Sequence, residues 1–417
     1  MESRRVVVTG IGCLSSVGNS VQETWEGLCA GKSGIAELTH FDTSQFRTRI
    51  GGELKGFDPT QYFDQKDINR MDPFCIYAAT ASKMALEDAG IDWESGTLDA
   101  DRIGVYVSSG IGGIQTFEEQ SILLKEQGPR RVSPFFVPMM ISDMAAGMVS
   151  ILFGLRGPNL GIVSACATGA HSIGEAYWVI KRGDADIMLA GGAEAACASP
   201  IGIAGFCAAR ALSTRNDEPE KASRPFDRDR DGFVMADGAA VLILESLESA
   251  RRRGANIYGE IVGYGATADA YHITSPHPEG TGACRAIEMC LKHAGLNPED
   301  VEYVNAHGTS TKLNDKFETA ALKRAFGDHA RNLLISSTKS LTGHALGAAG
   351  SIEVMVCLLA IKHGVIPGTW NYETPDPDCD LNYIPNQTLE KKIEVALTEN
   401  FGFGGHNAVL AIRRFNG

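Results

Sequence analysis

A chain of 417 residues is long enough for two or three domain-sized units and a large core. With 44% hydrophobic and 21% charged residues it has a globular composition, and a formal net charge of −13 argues against nonspecific nucleic-acid binding. Ten cysteines without a C-x-x-C pair or a secretory signal point to reduced thiols in a cytoplasmic protein, not a disulfide frame or zinc site.

The opening MESRRVVVTGIGCLSS has too short an apolar region for a signal peptide and reads as a first strand over 5–9. No apolar run approaches the ~20 residues of a membrane span. Further strand-like runs over 103–108, 161–165, 186–190, 240–245, 258–264, 301–305, 334–337 and 407–412 alternate with helical stretches, the pattern of layered α/β structure. Two glycine strings invite a dinucleotide reading. Gly10-Ile-Gly12 lacks its third glycine, and Gly263-Tyr-Gly265-Ala-Thr-Ala268 runs into a loop-like stretch, so neither carries one.

The halves resemble each other. Met84-Ala-Leu-Glu-Asp-Ala-Gly90 leads through an acidic loop to a strand ending at Gly110, and Met289-Cys-Leu-Lys-His-Ala-Gly295 does the same toward Gly308. Cys166-Ala-Thr-Gly-Ala170 parallels His344-Ala-Leu-Gly-Ala348, and the helices that follow stop at Gly183 and Gly364. This alignment puts Cys166 and His344 at equivalent helix starts in two copies of one unit, residues 1–255 carrying the cysteine and 256–417 the histidines. Packed together, the copies would bring both starts to one site.

Cys166 lies between an apolar run and a helix of small residues. Cysteine is often simply buried, and small residues let helices approach closely. A thiol at a helix N-terminus, however, also feels unpaired N–H groups that lower its pKa, and small neighbours leave room for a substrate. Three further strings carry reactive groups: Asn305-Ala-His-Gly-Thr-Ser-Thr311, Ser336-Ser-Thr-Lys-Ser-Leu-Thr-Gly-His344 and the glycine loop Asn400-Phe-Gly-Phe-Gly-Gly-His-Asn407.

With Ser109-Gly-Ile-Gly-Gly113, Ser133-Pro-Phe-Phe-Val137, Gly191-Gly-Ala-Glu194, Arg210-Ala-Leu-Ser-Thr-Arg-Asn216 and Arg230-Asp-Gly-Phe233, these strings span nearly the whole chain. The chain resembles the β-ketoacyl-[acyl-carrier-protein] synthases of the thiolase superfamily, among them the elongating enzymes of type II fatty acid synthesis. The resemblance implies two similar αβ halves in a five-layered αβαβα fold and a homodimer. It implies decarboxylative condensation of an acyl thioester with a malonyl thioester, without organic cofactor or catalytic metal.

By position, Cys166 is then the acyl-accepting nucleophile, and His307 and His344 are the catalytic pair. Lys339 and Glu353 support the histidines. Phe401 gates the site and shares the oxyanion with Cys166 through backbone N–H groups, and Gly402 adjoins the substrate. Thr309 and Thr311 meet the pantetheine arm, and Ile111 stands at the mouth of the acyl pocket. Some relatives hold a monovalent cation, here near Asn305, Glu353 and Asn400. An acidic acyl carrier protein would dock on Lys66, Arg70, Arg130, Arg131 and Arg210, although Asn69 replaces a basic residue. Lys312, Met235 and His406 also depart from the usual pattern. Competing readings are a polyketide-type ketosynthase, a noncatalytic partner subunit of the same fold, and a cysteine hydrolase; two histidines with a lysine fit the last poorly.

Overall fold

The computed structural model describes residues 4–417. Nine strands form its main sheet: β1 (Val6–Ser15), β2 (Ile103–Ser108), β3 (Ile187–Glu194), β4 (Gly238–Ser246), β5 (Gly259–Ala268), β6 (Tyr303–Asn305), β7 (Leu334–Ser336), β8 (Val395–Gly402) and β9 (His406–Arg413). Their spatial order is β2-β3-β4-β1-β5-β9-β8-β6-β7. Most are continuous apolar runs because helices cover both faces.

The order contains one motif twice. β2 and β3 are parallel, β3 and β4 antiparallel, and β4 and β1 antiparallel. In the second set β6 and β8, β8 and β9, and β9 and β5 repeat those relations. The two sets join where Val6, Val7 and Val8 of β1 meet Ile261, Glu260 and Gly259 of β5. Beyond β6 lies parallel β7. Its counterpart beyond β2 is a single parallel bridge between Val105 and Asn159.

The expected strand over 161–165 is therefore absent. The chain touches β2 three residues earlier, where Val105 donates to the Pro158 carbonyl at 2.8 Å and Leu160 donates to the Val105 carbonyl at 3.3 Å. It then leaves the sheet to build the Cys166 turn. Conversely, β8 escaped prediction because buried Thr398, Glu399 and Asn400 interrupt its apolar pattern.

The helices that matter are α1 (Pro73–Asp88), α2 (Ile114–Gln127), α3 (Met144–Phe153), α4 (Thr168–Arg182), α5 (Thr281–Ala294), α6 (Lys312–Phe326) and α7 (Ala349–His363). α1 and α3 share an apolar core with β2, β3 and β4. α5 and α6 share another with the second strand set. α4 and α7 fill the space between the sets, packing against strands of both. This is a five-layered αβαβα fold. The segment Leu346–His363 is apolar and long enough to cross a membrane, contrary to the expectation from the sequence, but it is 89% buried in this middle layer.

The small residues at the two central helix starts are first of all packing residues. A Cβ added to Gly169 would lie 2.8 Å from the Gly347 carbonyl oxygen, and one on Gly350 would lie 2.8 Å from the Ala170 nitrogen. The repeat is real, but its register differs from the string match. Both helices have 15 residues, both follow a 3₁₀ turn (Ala165–Ala167 and Leu346–Ala348), and both turns open on a positive φ, 52° at Ala165 and 43° at Leu346. Gly183 and Gly364 end them in the left-handed conformation. The counterpart of Cys166 is thus Gly347, and His344 lies three residues upstream of it. Strings of Ala, Gly and Ser match in more than one register, so hydrogen bonding decides.

Candidate active site

Cys166 sits in the turn before α4 rather than in its first helical turn, and it is 9% exposed. The glycine loop between β8 and β9 lies directly on it. A Cβ on Gly402 would fall 2.4 Å from the Ser164 carbonyl oxygen and 3.2 Å from the Cys166 nitrogen, so only glycine allows this approach. The backbone N–H groups of Cys166 and Phe403 lie near the Cys166 sulfur and favour its thiolate. The sequence reading gave the second N–H to Phe401, but Phe401 stands opposite Asn407 in the β8–β9 ladder, whereas Phe403 is free in the turn.

His307 follows β6 and is held through its backbone. Its N–H donates to Glu318 Oε1 at 2.6 Å, and the Gly308 N–H donates to Oε2 at 2.8 Å. His344 is anchored by its N–H to the Val234 carbonyl at 2.7 Å and by accepting from the Ala236 N–H at 2.9 Å. The two rings meet edge to face with centroids 5.3 Å apart, and the Phe401 ring lies 5.6 Å from His307. Burial, and next the charge of Lys339, holds both imidazoles well below the ordinary histidine pKa, so both are neutral. Neither Nδ1 has a protein partner.

Lys339 is buried behind them. Its ammonium donates to the His307 carbonyl at 2.6 Å and pairs with Glu353, whose other oxygen accepts from Asn400 Nδ2 at 2.7 Å. Asn305 and the Asn400 side-chain oxygen are buried without a protein partner. Such amide oxygens are the hard donors a monovalent cation takes, whereas both Glu353 oxygens are already engaged, by Lys339 and by Asn400. No His, Cys, Asp and Glu cluster among the described residues suits another metal.

Cys166, His307, His344, Phe401 and Gly402 all line one cavity of about 340 Å³. Thr309, Thr311 and Arg210 lie on its walls as well, beside the departing residue Lys312. Ile111 does not line it. It packs against the buried apolar cluster that includes Cys166, Phe233 and Leu346, of which Phe233 also lines the cavity. Lys66, Arg70, Arg130 and Arg131 are exposed, and the Arg70 guanidinium lies 5.3 Å over the Phe135 ring, close to the Pro129–Arg131 turn. Arg210 is exposed at the cavity instead.

One expectation reverses. The helix start does not leave Cys166 acidic: burial pushes its thiol up to about 12, opposed only in part by Lys339. The resting group is a thiol. The sequence reading also missed Glu318, Phe403 and the segment 269–276. That segment is tied to the glycine loop, since Gly404 donates to the Ile273 carbonyl and Asp269 to the Gly405 carbonyl, both at 2.8 Å. The loop-like composition after Gly265 was the available signal; nothing local revealed its partner.

Comparison with known proteins settles the family. The model of the β-ketoacyl synthase N-terminal domain matches residues 3–250, and that of the C-terminal domain matches 258–373. The chain belongs to the β-ketoacyl synthase family. It is 52% identical over 415 residues to a 3-oxoacyl-[acyl-carrier-protein] synthase 2 of Synechocystis, covering 100% of this chain and 99% of that one. Among solved family members, a β-ketoacyl synthase from Burkholderia phymatum superposes with a TM-score of 0.92 at 36% identity over 99% of this chain and 100% of the other. A type II polyketide ketosynthase, solved with its acyl-carrier protein, gives 0.91 at 36% identity over 100% of both chains. The chain is an acyltransferase of this family.

Proposed function

We propose that this protein condenses an acyl thioester held on Cys166 with a malonyl thioester on an acyl carrier protein, releasing CO2 and 3-oxoacyl carrier in fatty acid elongation. The observation that carries the reading is the convergence of Cys166, His307 and His344 on one cavity. The Cys166 sulfur attacks the acyl thioester, and its proton passes to the departing carrier thiolate, which leaves as the thiol. The N–H groups of Cys166 and Phe403, which lie beside the sulfur, would donate to the oxygen that becomes negative. Malonyl then loses CO2, its charge passes to the thioester oxygen, and the N–H groups of His307 and His344 stabilise it. The carbanion attacks the Cys166 thioester carbonyl, and the thiolate leaves and is reprotonated. Burial, reinforced by Lys339, keeps both imidazoles neutral, and Lys339 holds His307 through its carbonyl, while Thr309 and Thr311 line the pantetheine path.

Identity of 52% to a relative named 3-oxoacyl-[acyl-carrier-protein] synthase 2, against 36% to the polyketide ketosynthase, favours a fatty acid carrier over a polyketide one. The exposed basic residues Lys66, Arg70, Arg130 and Arg131, with Arg210 at the cavity, form the carrier's landing path, a local patch on an acidic protein. A homodimer accords with exposed apolar side chains at Phe117, Val137, Ile151, Leu160, Val163 and Ile201, which a second copy would cover. We divide the chain at 255/256, since the strand order repeats across that point. A cytoplasmic location accords with ten free cysteines.

The test supplies acyl and malonyl carriers and follows products. One CO2 and one 3-oxoacyl carrier per extension support the reading. Acyl hydrolysis alone would indicate a hydrolase, and inertness a noncatalytic partner.

A further inference from the structure

Glu194, the last residue of β3, is fully buried, and all its hydrogen-bond donors are neutral. Ser109 donates its hydroxyl to Oε1 at 2.6 Å. The N–H groups of Gly110 and Gly347 donate to Oε2, each at 3.0 Å, and that of Ile111 donates to Oε1 at 3.3 Å. Ser109 Oγ in turn accepts from the Gly112 N–H at 2.7 Å, so the Ser109 hydroxyl needs Glu194 as its acceptor. One carboxylate therefore fixes every peptide of the Ser109–Gly112 turn and joins it to the second half of the chain.

The joined point is distinctive. Gly347 is the counterpart of Cys166, and the carboxylate accepts its N–H at 3.0 Å. The pieces are also close enough to move as one. A Cβ on Gly347 would lie 2.5 Å from the Gly110 nitrogen, and one on Gly110 would lie 3.0 Å from the carbonyl oxygen of Ala165, the residue before Cys166.

We propose that Glu194 is a positioning residue that locks the Ser109–Gly112 turn to the Cys166 turn and thereby sets the acyl entrance at Ile111. The inference rests on the reading of Ile111 as the mouth of the acyl pocket. Ile111 is packed against the apolar cluster that contains Cys166; on that reading a long chain would pass as its side chain swings aside from a fixed backbone. An unlocked turn settles onto that cluster, and long chains suffer first.

Glu194→Gln keeps the shape but replaces one acceptor oxygen with an NH2 that cannot accept from backbone N–H groups. Ser109→Ala removes the hydroxyl link and leaves Glu194 intact. The experiment measures Cys166 acylation by short and long acyl carriers, and malonyl decarboxylation, in wild type and both variants. The long-to-short acylation ratio should fall by about tenfold in each, the size expected of one lost buried hydrogen bond to a charged group. Decarboxylation should stay within about twofold. An unchanged ratio, or an equal fall in all three rates, overturns the proposal. A wild type that never acylates Cys166 overturns the functional reading as well, which keeps the two failures distinct.

Discussion

Lys339 and Glu353 are 2% and 1% exposed, and together they tie His307 to β8 through Asn400. Lys339→Met keeps the side-chain length but strands a carboxylate in the core. Removing one partner of such a pair costs ~3–5 kcal/mol, because the desolvation of the remaining charge is no longer offset. Glu353→Gln should cost a similar amount. The double variant leaves no unpaired charge, so its loss should fall below the sum by ~2 kcal/mol or more. Urea titrations at neutral pH give these differences. The sign with pH is also fixed. The Glu353 carboxyl is already raised by burial despite Lys339, and without the ammonium it rises further. The folded variant then binds a proton that the unfolded chain has released, so its deficit shrinks as pH falls toward the ordinary carboxylate range. Additive losses that ignore pH would refute the view of this pair as a buried, mutually dependent unit.

Other outcomes follow from the same geometry. Ile111→Phe should slow acylation by long primers far more than by short ones, since overpacking costs ~1–3 kcal/mol; an unchanged chain-length profile would remove Ile111 from the pocket. Charge reversal at Arg130 and Arg131 should raise KM for carrier-bound substrates and spare pantetheine mimics, and equal loss on both would dismiss the docking patch. Because both histidine pKa values are pushed far down, malonyl decarboxylation should stay level as pH is lowered through the ordinary histidine value near ~6.5. A titration there would mean that one ring is not neutral.

Much of this molecule was legible beforehand, for identifiable reasons. Apolar runs marked eight of the nine strands because most of their residues are buried. β8 hid because it carries Thr398, Glu399 and Asn400 into the core behind the site. The chemistry-bearing strings converge on one cavity. Register did not come with them: Cys166 matched His344 as text, while hydrogen bonding pairs it with Gly347. Composition likewise could not weigh burial against a helix dipole, and at Cys166 burial prevails. The choice between Phe401 and Phe403 depends on where a turn begins, which the repeated FGFGG string leaves open.

The central claim is a division of labour, with Cys166 carrying the acyl group and the two histidines carrying the charge of decarboxylation. Two variants separate these roles, read by acyl-enzyme mass and labelled CO2. Cys166→Ala should form no acyl-enzyme and no condensation product yet still decarboxylate malonyl carrier, since both imidazoles remain. His344→Ala should acylate normally but release CO2 ~10²–10³-fold more slowly, the usual cost of one donor to a developing oxyanion. A His344→Ala protein that decarboxylates normally but cannot be acylated would contradict the account and make His344 the base of the thiol.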